Sequence, residues 1–103
     1  MMLEAAGFTV TSAASLRETE HICRRTGFDL VIIGQNFSDD EKRRIASSVR
    51  TILPHAPILE LCRISPEIQS PDHVLYDPSP EDLVDFVQRL LLPRGSKPVK
   101  LND

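Results

Sequence analysis

Apolar positions in this chain come in short clusters whose spacing switches between two residues and three to four, and each switch marks a new element. "MMLEAAG" reads as the last turns of a helix stopped by Gly7 just past its cap. "FTVTSA" (8–13) alternates and is rich in β-branched residues, which predicts a strand. Ser15-Leu16-Arg17-Glu18 is a capping box opening a helix that runs to about Thr26, with Gly27 as its stop. "DLVIIG" (29–34) is a continuous apolar run between an acid and a glycine, the form of a parallel strand buried on both faces. Ser38 to Glu41 is a second capping box, followed by an apolar stripe of Ile45, Val49, Ile52 and Leu53 that ends before Pro54. "PILELC" (57–62) and "HVLY" (73–76) are the third and fourth strands. Ser79-Pro80-Glu81-Asp82 opens a last helix with Leu83, Val87, Leu90 and Leu91 on its inner face.

Strands that alternate with capped helices predict an α/β domain built on a parallel sheet. One connection is too short for the usual pattern. Nine residues separate Arg63 from His73, and they include Pro66 and Pro71, so at most one helical turn is expected there. The final stretch, "PRGSKPVKLND", is polar and aperiodic. It is expected to be a tail (93–103) on a domain spanning 1–92.

The 103 residues suit one domain, with 41% apolar and 26% charged residues as in ordinary globular proteins. A net charge of −3 argues against a nucleic-acid binder, and no apolar run is long enough for a membrane span. Cys23 and Cys62 are too isolated for a disulfide framework and read as buried thiols of a cytoplasmic protein. His21, His55 and His73 are scattered without ligand spacing, so neither a metal nor a cofactor is expected. Arg24-Arg25 and Lys42-Arg43-Arg44 read as solvated faces of capped helices.

The succession of "LEAAGFTVTSAAS", "FDLVIIG", "PHAPILELC" and "VLYDPSPEDLVDFVQRLL" resembles a response-regulator receiver domain from about Leu3 to Leu92. The resemblance implies a flavodoxin-like, three-layer parallel sheet of strand order 2-1-3-4-5, here without the first strand and with a reduced fourth helix. It also implies bacterial two-component phosphorelay signalling, in which receivers phosphorylate themselves on an aspartate with Mg²⁺. Carried over residue by residue, that site is lost. The phosphoaccepting aspartate falls on Gly34, the hydroxyl residue on Cys62, and the lysine before a proline on Asp77, which precedes Pro78. The metal-binding acids belong to a strand that would precede Met1. Aspartyl phosphorylation needs a carboxylate nucleophile, a divalent cation and a fixed positive charge. A glycine offers no nucleophile, and an acid at position 77 supplies the wrong sign of charge.

The expectation is therefore a degenerate receiver that is not an enzyme and acts as a protein–protein interaction module. Alternatives are an inert, truncated remnant of a longer receiver and, last, a small thiol enzyme using Cys62. The missing strand is central in the family, and its removal leaves a gap of roughly 9–10 Å in the sheet. Either the chain starts late at Met1-Met2, or the strands pair differently. A homodimer whose protomers cover each other's gap is the expected solution.

Overall fold

The three longer helices begin where their capping residues place them. The computed structural model describes residues 2–65, 68, 71–91 and 98–101. A short helix α1 (Met2–Ala5) ends in a Schellman turn. Gly7 adopts φ 97°, its N–H donates to the Glu4 carbonyl at 3.0 Å, and the Phe8 N–H donates to the Leu3 carbonyl at 3.2 Å. Helix α2 (Leu16–Arg25) starts at Ser15, whose hydroxyl accepts the Glu18 N–H at 3.2 Å. Helix α3 (Asp39–Ile52) has a complete capping box between Ser38 and Glu41. Helix α4 (Pro80–Leu91) is capped reciprocally by Ser79 and Asp82.

The strands β1 (Thr11–Ala13), β2 (Leu30–Ile33), β3 (Ile58–Cys62), β4 (His73–Tyr76) and β5 (Pro98–Leu101) form one all-parallel sheet in the order β1-β5-β2-β3-β4. This is an α/β, flavodoxin-like three-layer architecture. Helices α2 and α3 cover one face, over Val31, Ile33, Ile58, Val99 and Leu101. Helices α1 and α4 cover the other, over Leu30, Ile32, Leu59 and Leu61. β1 is shorter than the predicted 8–13 because Phe8, held by the α1 turn, packs into the second of these cores.

The largest correction concerns the C-terminus. Residues 98–101 are not tail but the strand β5, hydrogen-bonded between β1 and β2. Val31 is level with Val99, and Ile33 with Leu101. Val99 and Leu101 are 0% and 1% exposed, and Pro98 stands first in the strand, where its missing N–H is tolerated. The other residues of the expected tail, 93–97 and 102–103, lie outside the described residues. The central position that the resemblance expects to be empty is thus filled by residues 98–101 of the same chain. The gap from which a homodimer was inferred does not exist, so the sheet itself does not call for a second protomer. In the short connection after β3 the described residues include no helix. Ile68 is instead buried against the α2/α3 face, and Asp72 accepts the Ile58 N–H at 2.7 Å.

Candidate functional site

In open parallel sheets, sites form beyond the carboxyl ends of the strands. The register pairs Ile33 with both Glu60 and Leu101, and Cys62 with Tyr76. Gly34, Cys62 and Asp77 therefore emerge at one end of the sheet. The Asp77 N–H donates to the Cys62 carbonyl at 2.7 Å, tying the exits of β3 and β4 together. Asp77 takes φ 44°, a left-handed conformation that aspartate tolerates better than most residues.

The four positions separate at the level of side chains. Gly34 and Pro78 border a cleft of about 330 Å³ on the α1/α4 side, together with Gln35, Ser79, Leu83 and Lys100. Cys62 borders a second pocket of about 280 Å³ with Lys42, Arg63 and Asp39. Gln35 lies on the rim of both. Asp77 is exposed and lines neither.

Beneath the second pocket is a buried ion pair that reading the sequence missed. The Lys42 ammonium donates to Glu60 Oε2 at 3.2 Å and to the Leu61 carbonyl at 2.9 Å, with both side chains 3% exposed or less. The other Glu60 oxygen accepts the Ile68 N–H at 3.1 Å, so one carboxylate fastens both α3 and the short crossover to β3. Lys42 is thus no part of a solvated face. Its signal was in the pattern: it stands three and seven residues before Ile45 and Val49, on the buried stripe, and Glu60 is the one charge in an apolar strand. Its neighbour Arg43 does face solvent, and the guanidinium at 2.7 Å holds the exposed Asp40 carboxyl below its usual range.

Chemically, the strand ends are sparse. Gly34 brings no side chain, and among the described residues no three His, Cys, Asp or Glu side chains gather to hold a metal. His73 packs edge-on against Phe86, with centroids 5.4 Å apart, and His21 is exposed beside Arg25. Among the described residues no helix is long and apolar enough to cross a membrane. No family model, curated protein or solved structure matches the chain. Its function must be read from these residues.

The thiols can be checked directly. Cys62 is 2% exposed and Cys23 3%, and burial pushes the Cys23 thiol up, away from its reactive thiolate form. Alkylation by iodoacetamide in the native state should be about a hundredfold slower than in denaturant, as expected if about 3 kcal/mol of local opening must come first. Cys62 labelling as fast as a free thiol would favour the enzyme alternative.

Proposed function

We propose that the chain is a degenerate receiver-type domain that works without phosphorylation, as a protein–protein interaction module in signal transduction. The observation that carries the reading is the strand order. With β5 standing where a receiver's first strand would be, β1-β5-β2-β3-β4 reproduces the order 2-1-3-4-5. In that frame the nucleophile position is Gly34, which can neither attack a phosphodonor nor carry phosphate. Lys42, close to the strand ends, is committed to Glu60 and Leu61. An interaction role also accords with the large apolar side chains left on the surface, Ile64 after β3 and Tyr76 on the edge strand β4.

Acetyl phosphate or beryllofluoride with Mg²⁺ should leave the mass, the thermal midpoint and the amide spectrum unchanged. Gly34→Asp should not acquire aspartyl phosphate either, because Cys62 and Asp77 still occupy the other two positions. Specific stabilisation of the native chain by beryllofluoride would contradict the proposal.

A further inference from the structure

We propose that the cleft at the carboxyl ends of β2, β3 and β5 binds a small amphipathic carboxylate, held by Lys100 and Gln35. Lys100 sits on a central strand, level with Ile32 and on the face that packs against α1 and α4. Among the described residues it is the one charged residue lining the cleft, whose walls are otherwise formed largely by Leu3, Leu61, Leu83 and Val84. Among the described residues it is half-buried and makes no ion pair or hydrogen bond. A lysine in apolar surroundings normally finds an anion or reaches water.

The second observation is independent of the first. Gln35 Oε1 is fully buried and accepts no hydrogen bond, although buried polar atoms in native proteins nearly always have a partner. The cleft is thus lined by a cationic donor, a glutamine whose buried acceptor is unmet and apolar walls, the usual make-up of a small-molecule site. A ligand that completes it carries a carboxylate for Lys100, a hydroxyl or N–H for Gln35, and a compact apolar body. The volume of about 330 Å³ lies at the lower end of small-molecule sites, enough for a single ring with a short acid arm.

A phosphate fits less well. At the start of α4 the Asp82 N–H already donates to the Ser79 hydroxyl, and the Ser79 N–H to the Asp82 carboxylate. Among the described residues of the cleft that leaves Lys100 as the cation, which matches a monoanion better than a dianion. The inference does not depend on the signalling role, since it rests on the cleft alone.

The test is titration of the full chain with 4-hydroxyphenylacetate, followed by amide chemical shifts. Saturable shifts are expected at Gly34, Gln35, Leu61, Ser79 and Lys100, with Kd of about 0.1–1 mM. Lys100→Met keeps the stem but removes the charge and should weaken binding about tenfold or more. Val84→Trp, in the cleft wall where the residue is only partly buried, should fill the cleft and abolish binding, which keeps the test decisive if the lysine variant misfolds. The uncharged 2-(4-hydroxyphenyl)ethanol should bind at least about tenfold more weakly than the acid. The proposal is overturned by an absence of saturable shifts, by equal binding of acid and alcohol, by unchanged binding in a folded Lys100→Met chain, or by tighter binding of inorganic phosphate at the same residues.

Discussion

A chain ending at Leu92 should lose cooperative folding altogether. Val99 and Leu101 each contribute about 1.5–3 kcal/mol by burial, and the backbone of β5 is hydrogen-bonded to strands on both sides. Without β5 a slot roughly 9–10 Å wide opens between β1 and β2. The core facing α2 and α3 would flood there, and β1 would keep no strand partner. A small domain has only about 5–15 kcal/mol in hand, so these losses together exceed its margin. Thermal and urea melts of the truncated chain should lack a sigmoidal transition, and the chain should bind a hydrophobic dye. A cooperative melt within a few degrees of the full chain would show that residues 93–103 are dispensable. The milder Leu101→Ala should fold but lose about 2–5 kcal/mol.

The second large effect is expected at the buried ion pair. Lys42→Met leaves the Glu60 carboxylate buried without its cation, and breaking such a pair from one side costs about 3–5 kcal/mol. For a domain of this size the midpoint should fall by roughly 15–30 °C. Glu60→Gln retains an acceptor for Ile68 and should cost less. The double variant Lys42→Met/Glu60→Leu removes both charges and should recover most of the loss, because a buried pair is often no more stabilising than apolar packing of similar volume. Urea denaturation of Lys42→Met, the single Glu60→Leu and the double variant gives the coupling energy. Additive losses would mean that Lys42 and Glu60 do not act on each other.

These two predictions fall where sequence reasoning was weakest, for related reasons. The capped helices and the strands at 30–33, 58–62 and 73–76 were legible because each carries a local signal: a capping box, a glycine stop, or a β-branched run. β5 carries almost none. "PVKL" has a proline at its head and a lysine at its middle, and its two apolar residues are too few to establish a period. Its strand state comes from the slot between β1 and β2, a tertiary demand that overrides local preference. Lys42 was misjudged because it was grouped with Arg43 and Arg44 as a basic run, whereas helical spacing puts only Lys42 inward. At the strand ends, the lack of a side chain at position 34 could be read directly from the glycine. The cleft could not be foreseen, because Lys100 and Gln35 come together only once β5 is placed beside β2.

Native-state amide hydrogen exchange tests the central position of β5 most directly. Slow exchange reports backbone groups released only by large-scale opening. If residues 98–101 form the inner strand, the Val99, Lys100 and Leu101 amides should be protected to the same degree as those of Val31 and Ile32 across the ladder. Exchange at these three residues as fast as in an unstructured peptide, with β2 still protected, would contradict it.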